Sequence, residues 1–223
     1  SMRIFILVSS EVMEKANKGD EFSKNLESFL IPIIKGWCTE LAQEVTSLGV
    51  QIHGGMGFIE ETGAAQIMRD ARILPIYEGT NGIQANDLMF RKTLRDDGKT
   101  AFDLLTKIKQ DIKDNNEILK YFNHANETIN YIVENKDNRE ALSCISYDYM
   151  MGFGYLIGAW LMHKSKTKAL EKIQFGDSDK VFLNAKIVSS DFYNLHILPR
   201  VSMHFKVVKD GSNVVMKTLD SYI

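Results

Sequence analysis

The chain has 223 residues, 44% of them hydrophobic and 25% charged, with a formal net charge of −2. That length buries a full core in one helical domain or two, and the balanced charge points away from nucleic acid and from anionic membrane surfaces. The two cysteines, Cys38 and Cys144, stand far apart in helical runs; this excludes a disulfide scaffold and suits buried thiols in a reducing, cytoplasmic compartment.

Only three prolines occur and strand-like alternation is scarce, so an all-α fold is expected. The apolar start, Ile4 to Val8, is too short for a signal peptide and lacks a cleavage pattern. Ser1 and Met2 resemble a remnant of recombinant expression ahead of an internal start, so the chain is expected to begin inside a longer protein. Residues 3–17 read as the end of a helix, and residues 17–20 as a break. Leu26, Phe29, Leu30, Ile33, Ile34, Trp37, Leu41, Val45 and Leu48 then recur at helical spacing. Pro32 falls within that pattern and marks either a first helical turn or a kink. Gly49 is expected to end the helix.

Residues 62–72 read as a short helical run and 81–95 as another, with Ile83, Leu88, Met89 and Leu94 as apolar positions. Asp96, Asp97 and Gly98 terminate it and set a domain boundary, 1–97 against 98–223. Downstream, helices are expected over 101–112, 118–133 and 139 to about 168, joined by the polar turns 114–116 and 134–138. Residues 176–179 lead to a last long helix ending near Val208, kinked by Pro199. A short helical tail follows Ser212. Short polar turns between amphipathic helices imply an antiparallel bundle.

Tyr149 to Met162 is the most apolar run, shorter than the ~20 residues a membrane span needs, and reads as a buried helix. Gly154 and Gly158 have the small-xxx-small spacing that lets another helix approach. Gly152, Gly154 and Gly158 lack the strand and spacing of a dinucleotide fingerprint. No histidine has a glutamate three residues before it, so a di-metal bundle is not indicated and no metal site is expected. His53 either meets a phosphate or caps a turn. Lys164, Lys166, Lys168 and Lys172 read as a solvated helix end suited to the helix dipole.

The most informative stretch runs from Gln51 to Gln84. A glycine-rich turn (Gly54, Gly55, Gly57) opens it, where backbone comes close to a ligand or takes positive φ. Arg69-Asp70-Ala71-Arg72 closes the helical run. Glu78 then sits between Tyr77 and Gly79, just ahead of Thr80 as an N-cap. A carboxylate outside a helix start, beside a glycine that leaves room, is placed to act as a base. On local chemistry alone, a turn and a capping or solvated glutamate explain the same residues.

Gln-Ile-His-Gly-Gly-Met-Gly-Phe (51–58), Arg-Asp-Ala-Arg (69–72) and Ile-Tyr-Glu-Gly-Thr-Asn-Gly-Ile-Gln (76–84) together resemble the C-terminal domain of the acyl-CoA dehydrogenase family. Ile-Lys-Gly-Trp-Cys-Thr (34–39) and Thr-Ser-Leu-Gly (46–49) resemble its larger branch, the 3-methylmercaptopropionyl-CoA dehydrogenase type, which carries an extra helical C-terminal region. The resemblance is specific over 31–96.

That resemblance implies an FAD-dependent enzyme that converts an acyl-CoA thioester to the 2,3-enoyl-CoA. Glu78 matches the base that takes the α-proton, while the β-hydrogen leaves as hydride to the flavin. Tyr77 and Gly79 match positions at the substrate. Burial against Tyr77 and the acyl chain is expected to raise the Glu78 pKa. Gln51, Gly54, Gly55, Thr80 and Gly82 match cofactor positions, the glycine turn reaching the flavin dinucleotide across a subunit interface. Gly82 departs from the commoner pattern, in which a glutamine stands there. A homo-oligomer (dimer or tetramer) and electron-transfer flavoprotein as electron acceptor are implied as well. The N-terminal helical and middle β-domains of such enzymes, and their arginine-phenylalanine flavin motif, are not among these residues. This polypeptide by itself is therefore expected neither to hold flavin tightly nor to turn over. A binding or oligomerisation module of the same superfamily is the alternative.

Overall fold

The computed structural model describes residues 1–113, 115–176 and 179–217. Among them there are helices and no strand. The order is α1 (Met2–Asn17), α2 (Glu21–His53), α3 (Gly55–Phe58), a 3-10 turn (Glu60–Thr62), α4 (Ala64–Ala71), α5 (Asn81–Asn86), α6 (Lys99–Asp111), α7 (Asn116–Glu134), α8 (Arg139–Gln174), α9 (Lys180–Phe192), α10 (Arg200–Asp210) and α11 (Ser212–Val215). The all-α expectation holds.

Short polar side chains start five of these helices. Asp20, Thr80, Asn115, Asn138 and Asp179 each accept a bond from the backbone N–H three residues on, satisfying a donor the helix cannot pair internally. Gly54, at φ 60, ends α2. Asp97 (φ 51) and Gly98 (φ 81) turn the chain between α5 and α6.

α8 is the central helix. α10, α9, α2, α5, α7 and α1 all lie against it, and Tyr149 to Met162 is buried along its whole length. Its glycines set the approach of its neighbours. A Cβ on Gly154 would overlap the Trp37 indole of α2, one on Gly158 the Tyr193 hydroxyl, and one on Gly152 the Phe205 ring of α10. Aromatic edges fill the seam: Trp37 meets Tyr155 at 5.8 Å and Phe29 meets Phe153 at 5.5 Å between centroids, pairs worth about 0.5–1.5 kcal/mol beyond their burial. One buried cluster runs from Phe5 to Val208.

Several expected boundaries move. Pro32 lies inside α2, buried, and not in a first turn. Gly49 does not stop that helix, which continues to His53. α8 continues six residues past 168, to Gln174. The helix after Thr80 passes into a wide π turn over Asp87–Thr93 and a 3-10 turn over Leu94–Asp96. Ile83 is exposed on it, while Leu88 and Met89 are buried. The last long helix is two helices: Tyr193–Ile197 forms a π turn, and Pro199 caps α10. Of the expected turns, Asp114, Asp177 and Ser178 lie outside the described residues.

Candidate active site

The loop carrying Glu78 follows α4 and is fastened to the side of α2. Glu78 itself has φ 55, the left-handed region, which a β-carbon disfavours. Gly79 follows at φ 84, so two consecutive residues share that conformation. Bonds on every side hold them there. Gln84 Nε2 donates to the Glu78 carbonyl at 3.0 Å. Lys35 Nζ donates to the Gly79 carbonyl and to Asn81 Oδ1, each at 2.7 Å. Asn81, 4% exposed, sends its amide N–H groups to Thr39 Oγ1 at 2.9 Å, Glu40 Oε1 at 2.7 Å and the Gly36 carbonyl at 3.3 Å. The Asn81 backbone N–H donates to the Pro75 carbonyl at 3.0 Å. Thr80 caps α5 through Ile83 N at 3.4 Å. Burial lowers the Lys35 pKa, with Glu40 and then Glu78 opposing it.

Lys35, Gly36, Thr39 and Glu40 form one face of α2, since they lie one helical turn apart. Reading the sequence did not find Lys35 or Asn81 as site-forming residues. A polar residue directly after an N-cap, 41 to 46 positions from its partners, gives no local signal.

The glycine turn caps the far end of α2. Gln51, Gly54 and Gly55 are exposed, and a Cβ on Gly54 or Gly55 would meet open space. Gly57 differs: it is buried, and a Cβ there would strike the Val50 carbonyl. His53 Nδ1 bonds the Gly49 carbonyl at 2.8 Å, the turn-capping role. Arg69 makes two 2.8 Å bonds to Glu60, tying α4 to the 3-10 turn after Phe58, and the Glu60 carboxyl is held low by that hydrogen bond.

The structure does not bring all the sequence-predicted residues together. Lys35, beneath Glu78, and Gly54 are 19 positions apart on one helix, roughly 28 Å at 1.5 Å per residue. Tyr77, Glu78, Gly79 and Thr80 therefore form one group, with Gly82 beside them, and Gln51, Gly54 and Gly55 another. Glu78 is exposed and Tyr77 is 47% exposed, so the burial expected around the carboxylate is not supplied by this chain. Both groups leave room for a cofactor to approach backbone. Gly54 and Gly55 leave backbone unobstructed, and Gly82 has only Thr80 Oγ1 near its missing Cβ, at 3.9 Å. Neither group encloses such a cofactor.

Comparison with known proteins identifies the fold's lineage. A model described as "Acetyl-CoA dehydrogenase C-terminal like" matches residues 104–218, and one described as "Acyl-CoA dehydrogenase, C-terminal domain" matches residues 7–92. The chain belongs to the acyl-CoA dehydrogenase family. It is 39% identical over 214 residues to a 3-methylmercaptopropionyl-CoA dehydrogenase of Ruegeria pomeroyi, covering 88% of this chain and 36% of the relative. A broad-specificity linear acyl-CoA dehydrogenase of Mycobacterium tuberculosis is 25% identical over 220 residues (86% and 34%). A butyryl-CoA dehydrogenase of Syntrophomonas wolfei is 27% identical over 203 residues (85% and 33%).

The chain thus spans about a third of the length of these acyl-CoA dehydrogenase relatives. The similarity to the 3-methylmercaptopropionyl-CoA dehydrogenase covers most of the chain, and a family model covers residues 104–218, where the sequence offered no nameable motif. No helix among the described residues is long and apolar enough to cross a membrane.

Proposed function

We propose that this chain is part of an FAD-dependent acyl-CoA dehydrogenase in which Glu78 removes the α-proton of an acyl-CoA thioester to give the 2,3-enoyl-CoA. The observation that carries this is the Glu78–Gly79 backbone, held in the left-handed region by Lys35, Asn81 and Gln84. A non-glycine residue kept in that conformation by so many bonds is characteristic of a positioned functional group. Tyr77 flanks the carboxylate and Gly79 leaves the thioester side open. Walls supplied by other polypeptide complete the site and desolvate Glu78, which a base for so weak a carbon acid requires.

Gln51, Gly54, Gly55, Thr80 and Gly82 would hold FAD, which when bound supplies the acceptor for the β-hydrogen. Because these residues fall into two groups far apart on α2, each FAD would be shared between two copies, making the enzyme a homo-oligomer. Electron-transfer flavoprotein then takes the electrons onward. Residues 1–97 would act as the catalytic C-terminal domain and 98–223 as the added helical region. The two free thiols support a reducing, cytoplasmic setting. By itself the chain would neither retain flavin nor turn over.

The deciding experiment measures 2,3-desaturation of an acyl-CoA panel by the full-length protein. Glu78→Gln is expected to lower turnover by about 10²- to 10⁴-fold, the usual share of a general base, with the flavin absorbance unchanged. The exposure of Glu78 favours one second reading, a non-catalytic binding or oligomerisation module. Absence of turnover in the unsubstituted full-length protein would select it, and unchanged turnover in Glu78→Gln would remove Glu78 from the mechanism.

A further inference from the structure

One cavity lies apart from the Glu78 loop and from the glycine turn. It is a groove of about 530 Å³ between α1, α8 and α9, within the range of small-molecule sites. Its floor follows from helical spacing. Leu161, Ser165 and Ala169 form one row of α8, each a turn apart. Ser165 and Ala169 are too small to fill the space between the flanking helices. Ile4 and Val8 of α1 form one wall and Phe182 and Leu183 of α9 the other.

The rim has a different character. Lys164, Lys168 and Lys172 form the next row of α8, and Lys186 faces them from α9. Among the described residues lining the groove, one carboxylate, Asp179, stands with these four ammonium groups. Lys164 reaches Asp111 at 3.1 Å and Lys168 reaches Glu171 at 2.8 Å. Both pairs are exposed and exchange readily for a better anion. Lys186 lies 4.8 Å over the Phe182 ring, its ammonium at the apolar wall.

We propose that this groove binds an anionic amphiphile: a single apolar chain along the floor, with a carboxylate or phosphate head held by the lysines. An apolar trough alone would suit many occupants. The excess of ammonium groups along its edge selects one whose head is negative. A helix-end lysine cluster is ordinarily only solvated, but here three of its members border a cavity whose depth comes from small side chains.

The test titrates the 223-residue chain with laurate, dodecyl phosphate, 1-dodecanol and sodium phosphate, by calorimetry below the aggregation concentration of each. Laurate and dodecyl phosphate are expected to bind at least about tenfold more tightly than either 1-dodecanol or phosphate alone. Their affinity should fall as salt rises. The double variant Lys168→Glu/Lys186→Glu should weaken both by at least about tenfold, leave 1-dodecanol unchanged and keep the helical circular dichroism. Ser165→Trp, from the floor, should abolish binding of all chains. Lauroyl-CoA in a further arm distinguishes a thioester source from a free acid: its phosphates lie beyond the pantetheine arm, away from the acyl chain, so it is expected to bind at least about tenfold more weakly than laurate. Equal affinity for laurate and 1-dodecanol, or laurate binding indifferent to charge reversal, would overturn the proposal. So would binding that disappears as the chain self-associates in sedimentation, which would make a second copy the occupant. None of these readouts depends on turnover or on Glu78.

Discussion

Asn81 does more for the candidate site than any residue that touches substrate in the proposed reaction. Its side chain joins Lys35, Gly36, Thr39 and Glu40, so one amide fastens the end of the Glu78 loop to α2 beside the Lys35 bond to the Gly79 carbonyl. Asn81→Ala removes those bonds from buried or half-buried partners, Lys35 keeping the Gly79 carbonyl, a loss of about 1–3 kcal/mol. Urea unfolding of the chain should show it, and early proteolysis within residues 72–80 should accompany it. In the full-length enzyme the same change should reduce turnover with Glu78 still present. Gly79→Ala should cost about 1–2 kcal/mol, because alanine disfavours the left-handed region that Gly79 adopts at φ 84. Cys38 offers a residue-scale check on packing: burial pushes its thiol up to about 11, so a disulfide reagent near pH 8 should label it rapidly only after unfolding. Thr80 as a cap was legible because a hydroxyl before a helix acts on its own neighbours. Asn81 was not, because its partners belong to a helix more than forty positions earlier.

The same contrast recurs among the elements. Gly49 reads as the helix stop and Gly54 as part of the turn beyond it, yet it is Gly54 that ends α2, because there the backbone leaves the helix, at φ 60. Pro32 reads as a boundary, yet the burial of Phe29, Ile33 and Trp37 on either side keeps the helix running through it. Pro199 does interrupt its helix, but the disturbance begins earlier, in the π turn at Tyr193–Ile197 that turns the Tyr193 hydroxyl onto the Tyr155 carbonyl at 3.0 Å. Periodicity located nearly every helix; tertiary packing decided where each one stopped. The glycine spacing on α8 was legible as a close approach, though not what approaches, which is the Trp37 indole. Gly154→Ala should therefore destabilise by about 1–3 kcal/mol, the overpacking range. The same change at Gly49, which has open space around it, should stabilise slightly by raising helix propensity. Paired thermal melts would separate the two, and equal effects would refute the packing account.

Across the whole molecule, charge and exposed apolar surface set the behaviour. Glu44 on α2 and Arg200 on α10 pair bidentately at 2.6 Å, and that hydrogen bond, with the guanidinium charge, holds the Glu44 carboxyl low. A depressed carboxyl contributes stability that is present above its unfolded-state value, about 4.3, and lost as pH falls through the folded one. Unfolding free energy should therefore hold steady near neutrality and fall in acid. Glu44→Gln should lose about 1 kcal/mol or less at pH 7 and show a shallower acid decline. The surface argument is stronger. Around the glycine turn, Ile52 is 84% and Phe58 80% exposed, with Met56 at 58% and Ile67 at 62%. Large apolar side chains grouped this way mark an interface, and they surround the proposed cofactor-binding group that Glu78 of the same chain cannot reach. If two copies share each flavin, a charge placed here must break assembly and cofactor retention together. Phe58→Glu in the full-length protein is expected to shift sedimentation to a smaller species and bleach the flavin absorbance. The helical circular dichroism should stay intact, because Phe58 contributes little to the core. Loss of flavin without loss of mass would place the cofactor within one copy, and unchanged mass and colour would remove this face from the assembly altogether.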